Sequence, residues 1–499
     1  MTSKAKENLP LDHDACYAAM QSHDARFDGR FFCGVSSTGI YCRPVCRVKG
    51  PKKQNCTFFP SAAAAEAAGF RPCLRCRPEL APGLAPADAV TRLARNAVRR
   101  MEEDGLSDTT ISELGSALGI SDRHLRRVFA AEYGVSPVQY LQTRRLLLAK
   151  SLLADTRLSI TEVAMSAGFG SIRRFNDLFS RRYRLAPSRL RLKGEAPDID
   201  GDTITLFLGY RPPYAWKEIL SFLADRALPG VECATADAYR RTVSLRKGEK
   251  FFDGWISVSN APKRNALSVM VSASLLPVLP QLLGRVRQLF DLDCDPLAVQ
   301  ETLASLKTIS PILPVPGMRL PGSFDPFESC TRAILGQQVT VKAARTLAAR
   351  VAAALGDKVA TPYPDLTSTF PLPERILALE PPVEDRLGPL GITGARSRSI
   401  LALAKALVTG EIALTSPTDP QLEMAKLLKL PGFGEWTVQY VAMRVLGWPD
   451  VLLTGDYGVK KALSELPRDE ALKLAEEWSP WRSYATVSLW HAVANGDKK

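Results

Sequence analysis

No stretch of this 499-residue chain approaches the roughly eighteen consecutive apolar residues that a helix needs to cross a bilayer. The polar start Met1-Thr-Ser-Lys-Ala-Lys6 lacks the apolar core of a secretion signal, so a cytoplasmic protein is predicted, with no membrane partner. Cysteine is scarce in the back of the chain. Past residue 76 only Cys233, Cys294 and Cys330 occur, each alone, which leaves no disulfide framework there. The other seven of the ten (16, 33, 42, 46, 56, 73 and 76) crowd into the first 76 residues, and in a reducing compartment such crowding points to a metal.

An acidic excess is also lacking. Lys and Arg number 65 against 52 Asp and Glu, a net charge of +13, and residues 1–200 hold 31 of the basic groups against 21 acidic ones. Such a front half favours polyanions, of which nucleic acid is the usual cytoplasmic one, although a merely soluble basic protein would share the composition.

Length alone suggests about three or four domains. Ala81-Pro-Gly-Leu-Ala-Pro86, Lys193-Gly-Glu-Ala-Pro-Asp-Ile-Asp-Gly-Asp202 and Ser310-Pro-Ile-Leu-Pro-Val-Pro-Gly317 punctuate the chain and predict segments 1–85, 86–195, 203–310 and 311–499. In the second segment, Ile111-Ser-Glu-Leu-Gly-Ser-Ala-Leu-Gly-Ile120 is echoed some fifty residues later by Ile160-Thr-Glu-Val-Ala-Met-Ser-Ala-Gly-Phe169, a duplicated helical unit. Residues 203–275 alternate as strands (Thr203–Leu208, Tyr239–Leu245, Ala266–Val271) around a helix near Ala215–Ala227. From about 323 the period is helical. The predicted class is multidomain α+β: a small zinc α/β domain, an all-α double helix-turn-helix domain, an α+β domain and an all-α domain.

Cys42-Arg-Pro-Val-Cys46 and Cys73-Leu-Arg-Cys76 supply four thiolates in two close pairs separated by 26 residues, a set that suits one tetrahedral Zn²⁺. Spacing alone leaves two roles open. The metal can be a staple for a domain too small to fold on its core, or it can keep the sulfurs deprotonated and nucleophilic. Cys16, Cys33 and Cys56 have no close partner in sequence and read as buried or bystander thiols. Ser37-Thr-Gly-Ile-Tyr-Cys-Arg-Pro-Val-Cys-Arg47 together with Ala68-Gly-Phe-Arg-Pro-Cys-Leu-Arg-Cys-Arg-Pro78 resembles the N-terminal domain of the Ada family of methyl acceptors and transcription activators. That resemblance implies that Cys42 is both a zinc ligand and the acceptor of a methyl group from a DNA methylphosphotriester. Cys46, Cys73 and Cys76 are then ligands, and methylation raises DNA affinity by removing negative charge from the protein.

Each duplicated unit reads as helix, Gly-containing turn and second helix, an arrangement that can lay its second helix in the major groove. The candidate contacts are Arg123, His124, Arg126 and Arg127 in the first copy and Arg173, Arg174 and Asn176 in the second, while Leu125, Phe129, Phe175 and Phe179 read as core. Gly168-Phe-Gly-Ser-Ile-Arg-Arg-Phe-Asn-Asp-Leu-Phe179, followed by Tyr183 and Ala186-Pro-Ser188, resembles the AraC/XylS-type DNA-binding domain. An activator of this kind implies promoter DNA and RNA polymerase as partners, a nucleoid-associated location and a monomeric chain. The Pro-Cys-His-Arg motif of the Ada methylguanine acceptor is absent, so reversal of O6-methylguanine is not expected.

Leu430-Pro-Gly-Phe-Gly434 lies between helix-like Pro420–Lys429 and Glu435–Leu446, where Gly432 and Gly434 let backbone N–H groups reach a DNA phosphate. Twenty-two residues after Gly434, Leu453-Thr-Gly-Asp-Tyr-Gly-Val-Lys-Lys461 presents Asp456, which reads either as a helix cap or as a catalytic carboxylate. The pairing resembles the helix-hairpin-helix glycosylases, and Phe207–Trp216, Leu289–Cys294, Ala333–Val339 and Pro480–Tyr484 resemble the 3-methyladenine DNA glycosylase II (AlkA) branch over nearly 300 residues. The likeness implies Asp456 as the catalytic group, Trp436, Tyr440 and Trp490 around a pocket for cationic alkylated purines, and Gln338 at the wedge position, where relatives carry an apolar residue. Taken alone, the three aromatics read as core. Trp436 occupies the position where bifunctional relatives carry a Schiff-base Lys, and no cysteine follows Cys330 to build an iron–sulfur loop, so a monofunctional enzyme is expected. The competing expectation is a transcription activator with a structural zinc and a passive DNA-binding back half.

Overall fold

The computed structural model describes residues 12–48, 50–82, 89–104, 110–190, 202–415 and 420–496 of a multidomain α+β protein. Most of the punctuation predicted at 81–86 and 193–202, and the polar start, lie outside these residues. Among the described residues no helix is long and apolar enough to cross a membrane.

The front unit is a four-stranded sheet. Phe32–Val35 sits between Cys56–Phe59 and Ile40–Cys42, both antiparallel to it, and Arg71–Pro72 runs parallel to Ile40–Cys42. Because those last two strands run the same way, their C-terminal ends deliver Cys42 and Cys73 to the same end of the sheet.

The duplicated segment folds as two matching helix pairs, Ile111–Ala117 with Asp122–Tyr133 and Ile160–Ser166 with Ile172–Tyr183, joined by the long helix Pro137–Asp155. The repeat extends to local chemistry. Thr110 with Glu113 and Ser159 with Glu162 form capping boxes, Ser121 and Ser171 cap the second helices, and Gly119 and Gly168 turn the chain at φ +63° and +86°, where a side chain would be strained. Leu125, Phe129, Phe175 and Phe179 are fully buried, as the apolar spacing predicts.

Five antiparallel strands follow in the order Thr203–Gly209, Ala266–Ser272, Lys250–Ala261, Ala238–Lys247 and Glu232–Ala234, with the helix Trp216–Arg226 against them. The predicted strands and helix all appear, and Glu232–Ala234 and Lys250–Ala261 are additional. Gly254 breaks the apolar alternation of Lys250–Ala261 because a Cβ there would lie 2.2 Å from Ser272 Oγ, the atom that accepts from Trp255 N–H. The helices from Pro296–Thr302 onward enclose one apolar core whose residues run from Leu228 to Leu489.

The units pack closely. Phe169, Phe175 and Phe179 share a cluster with Leu206 and Val269 of the five-stranded sheet. Glu66, buried in the front unit, accepts from the hydroxyls of Tyr41 (3.1 Å), Thr143 (3.0 Å) and Tyr183 (3.2 Å), one from the sheet, one from the long helix and one from the second helix pair. Burial pushes its carboxyl up to about 7 against these three donors.

Candidate functional site

The four sulfurs of Cys42, Cys46, Cys73 and Cys76 all lie within 4.8 Å of one another. A tetrahedral zinc with Zn–S bonds of about 2.3 Å requires S···S separations of about 3.8 Å, so the residues fit the ion, and they form one four-cysteine Zn²⁺ site. Cys46 and Cys73 are buried, while Cys42, the residue expected to react, and Cys76 are partly exposed. Arg43 braces the neighbouring ligand Cys76: its backbone N–H points at Cys76 Sγ (3.4 Å), its guanidinium donates to Cys76 O (3.1 Å), and it pairs with the buried carboxylate of Asp28. Burial pushes the Cys16 thiol up to about 11 and the Cys33 and Cys56 thiols upward too, so these three remain protonated and apart from the metal set.

On the helix Asp122–Tyr133, Arg123, Arg126 and Arg127 are exposed, and His124 Nδ1 lies 2.8 Å from the Arg127 guanidinium. On Ile172–Tyr183, Arg173 and Arg174 are exposed and Asn176 is half-buried. Both helices bury the opposite stripe, so the basic groups project from one face of each.

In the back half, the helices Pro420–Leu427 and Glu435–Arg444 flank the hairpin turn. Gly432 sits at φ +79°, and a Cβ there would come within 2.2 Å of Ser399 Oγ, so both conformation and space require glycine. Gly434 caps the second helix without a side chain, which leaves the first-turn N–H groups facing outward. Phe433 is buried and anchors the turn.

Of the two roles that sequence offered for Asp456, the cap is observed. It caps Tyr457–Ala462: Oδ1 accepts from Gly458 N–H (2.8 Å) and Val459 N–H (3.2 Å), and also from the indole N–H of Trp490 (2.8 Å). Three donors on one oxygen fix the carboxylate, and among the described residues none donates a hydrogen bond to Oδ2. A Cβ on Gly458 would lie 2.7 Å from the Trp490 ring, so that glycine makes room for the indole.

Trp436 stacks on Tyr440 one helical turn away, with centroids 5.4 Å apart and planes at 20°. Trp490 stacks on Phe222, at 6.1 Å and 14°. Trp436, Tyr440 and Trp490 are therefore half-buried rather than core. Phe222, from the helix Trp216–Arg226, was missed in the sequence; its signal is an aromatic beside, not on, the buried stripe of Trp216, Ile219, Leu220 and Leu223. Arg444 was missed as well. Its guanidinium lies 4.8 Å from the Phe222 centroid, donates to Tyr440 Oη (3.0 Å) and to Gly322 O (3.1 Å), and also reaches Pro321 O. Burial opposes ionisation of the Tyr440 phenol, but Arg444, Arg226 and Arg332 together outweigh it and hold the phenol below its ordinary value.

Gln338 is exposed at φ +54°, in the loop between Pro326–Leu335 and Val341–Leu355. The apolar groups at this tip are its neighbours Val339 and Val341, 37% and 49% exposed. Gln337, not singled out in the sequence, donates to Gly432 O (2.7 Å) and Thr437 Oγ1 (3.0 Å) and so ties the loop to the hairpin.

A helix-hairpin-helix fold with an anchored carboxylate and an aromatic cluster, preceded by a thiolate zinc site and paired helix-turn-helix units, defines a modular DNA-repair protein with a regulatory front half. Residues 15–79 match the metal binding domain of Ada, 114–193 a helix-turn-helix domain, 205–325 the AlkA N-terminal domain, and 331–479 the HhH-GPD superfamily of base excision DNA repair proteins. The probable bifunctional transcriptional activator/DNA repair enzyme AlkA of Mycobacterium tuberculosis is 37% identical over 488 residues, covering 96% of each chain. The chain belongs to this family of bifunctional transcriptional activator/DNA repair enzymes. DNA-3-methyladenine glycosylase 2 of Escherichia coli is 37% identical over 286 residues, 57% of this chain and 96% of its own. The bifunctional activator and repair enzyme Ada of the same organism is 34% identical over 165 residues, 33% of this chain and 45% of its own.

Proposed function

We propose that this protein excises alkylated purines such as 3-methyladenine from double-stranded DNA by monofunctional hydrolysis, and that Cys42 irreversibly accepts methyl groups from methylphosphotriesters to switch on promoter binding. The observation that carries the excision reading is the Asp456 carboxylate beside the aromatic cluster, pinned through Oδ1 by three N–H donors, with no described residue donating to Oδ2. An alkylated purine is already cationic, so it leaves with the glycosidic electron pair as a neutral base and needs little acid catalysis. Asp456 stabilises positive charge on the sugar and takes the proton of the water that bonds to the anomeric carbon. The electron-rich faces of Trp436, Tyr440 and Trp490 hold the base, Gln338 with its valine neighbours fills the gap it leaves, and the amides after Gly432 and Gly434 grip the backbone.

At the front, bound Zn²⁺ keeps the four sulfurs deprotonated at neutral pH. The Cys42 sulfur forms a bond to the methyl carbon while the methyl–oxygen bond breaks, and a phosphodiester anion departs. The protein loses one negative charge, which favours DNA contact through Arg123, Arg126, Arg127, Arg173, Arg174 and Asn176. The domains act as 1–85 (methyl acceptor), 86–195 (promoter reader), 203–310 and 311–499 (glycosylase), in a cytoplasmic, nucleoid-associated monomer that contacts RNA polymerase.

Asp456→Asn retains a capping side chain, so the fold is expected to persist while base release from methylated DNA falls about a thousandfold and DNA binding is spared. Release at the wild-type rate would refute the catalytic role. Mass spectrometry after incubation with methylphosphotriester DNA is expected to find one methyl on Cys42, and an unmodified zinc-loaded protein would leave the metal structural.

A further inference from the structure

The helix Ala89–Glu103, first of the helix-turn-helix segment, lies against Leu279–Leu289 at the end of the strand-rich unit, so closely that a Cβ on Gly284 would lie 3.0 Å from Glu102 Oε2. Arg99, Glu102 and Glu103 fall on one face at helical spacing, and two of them reach past the interface toward the excision site.

Arg99 donates to Gln288 Oε1 at 2.6 Å, and Gln288 Nε2 donates to Val445 O at 2.7 Å. A guanidinium has only donors. It therefore holds the amide with its oxygen toward Arg99 and its NH₂ toward Val445, which caps the C-terminal end of Glu435–Arg444, the helix that carries Trp436, Tyr440 and Arg444. The backbone of Gln288 is close as well, because a Cβ on Gly322 would lie 2.2 Å from Gln288 O, and Gly322 O accepts from Arg444.

Glu103 forms the second link. Its carboxylate accepts from Gln281 (3.0 Å) and Arg285 (3.4 Å), and Arg285 also pairs with Asp325 at 3.3 Å. Asp325 caps Pro326–Leu335, the helix that ends at the Gln337–Gln338 loop. Both the far end of the pocket helix and the near end of the wedge helix are thus held through Leu279–Leu289 by side chains from the regulatory half.

We propose that Arg99 and Glu103 are positioning residues for base excision, and that the helix Ala89–Glu103 is a working part of the glycosylase as well as of the promoter reader. The proposal rests on the excision reading above and concerns geometry at the pocket, not contact with DNA.

The test uses the full-length zinc-loaded chain and single-turnover base release from methylated duplex DNA at saturating protein. Arg99→Met keeps the aliphatic stem and loses the donors. Gln288→Glu keeps the acceptor for Arg99 and loses the donor to Val445 O. Each is expected to slow release about tenfold with DNA affinity within about twofold of wild type, and Arg99→Lys, which restores a donor, is expected to recover most of the rate. A wild-type rate in Arg99→Met overturns the proposal, whether or not Gln288→Glu is slow. So does an equal loss in Arg99→Met and Arg99→Lys accompanied by weakened DNA binding, since that reports general loosening. A wild-type protein that releases no base would count against the excision reading instead.

Discussion

The zinc centre and the proposed excision pocket each hold in place the one residue to which a reaction is assigned above, Cys42 and Asp456, by different means. Cys42 is fixed by a metal and a small sheet, with Arg43 and Asp28 bracing the loop. Asp456 is fixed by two backbone N–H groups at a helix start and one indole. A thiolate set around zinc has a net charge of about −2 and is altered permanently when one sulfur is alkylated, which suits a one-time signal. A carboxylate held by neutral donors recovers its proton balance through water and can act repeatedly. In the proposed roles, the contrast separates a site that records damage once from one that turns over.

The comparison can be broken most sharply by removing the metal. Chelation of zinc is expected to abolish methyl acceptance, while base release stays within about threefold of the untreated rate; a loss of release as complete as the loss of methyl transfer would join the two centres. A smaller effect is expected from Trp490→Phe, which keeps a ring against Phe222 but removes the indole donor. Hydrogen bonds to charged groups contribute about 1.5–3 kcal/mol, so single-turnover release should slow about tenfold or more, and an unchanged rate would show that the two backbone donors suffice. The smallest effect concerns Glu66. Its folded-state carboxyl is raised to about 7 by burial, so the stability it contributes is full below about pH 4.5 and is lost as pH rises through about 7. Thermal melts across that window should show the front half weakening toward higher pH, and Glu66→Gln should flatten the dependence.

The zinc set was legible because its ligands sit in two short loops, and the paired helices because each repeat carries its own caps and turn glycine. The pocket aromatics Trp436, Tyr440 and Trp490 were legible only through the glycosylase resemblance, since taken alone each reads as core. Phe222 lies more than two hundred residues from Trp436 in the chain, and only packing of Trp216–Arg226 against the glycosylase core brings it to Trp490. Arg444 escaped notice for a related reason: an arginine at the end of a helix ordinarily faces water, and here backbone carbonyls of Pro321 and Gly322 draw it inward. For Asp456 the cap does not exclude the proposed catalytic role, since the three hydrogen bonds all fall on Oδ1. The strand Lys250–Ala261 was hidden by Asp253-Gly254 at its centre, whose meaning depends on Ser272 in the neighbouring strand.

That shared use of Asp456 also constrains how this protein can change over generations. A substitution by an apolar residue removes the reactive oxygen and uncaps the helix in one stroke, so the inactive product is also a destabilised one and is cleared from the cell. Asn, Ser and Thr remove the carboxylate while keeping a side-chain acceptor at the helix start, and Gly, the other tolerated cap, costs the helix little. A lineage drifting toward a purely regulatory protein must pass through that narrow set, and an Asn, Ser, Thr or Gly at this position in a descendant would mark the loss of excision by an otherwise intact chain.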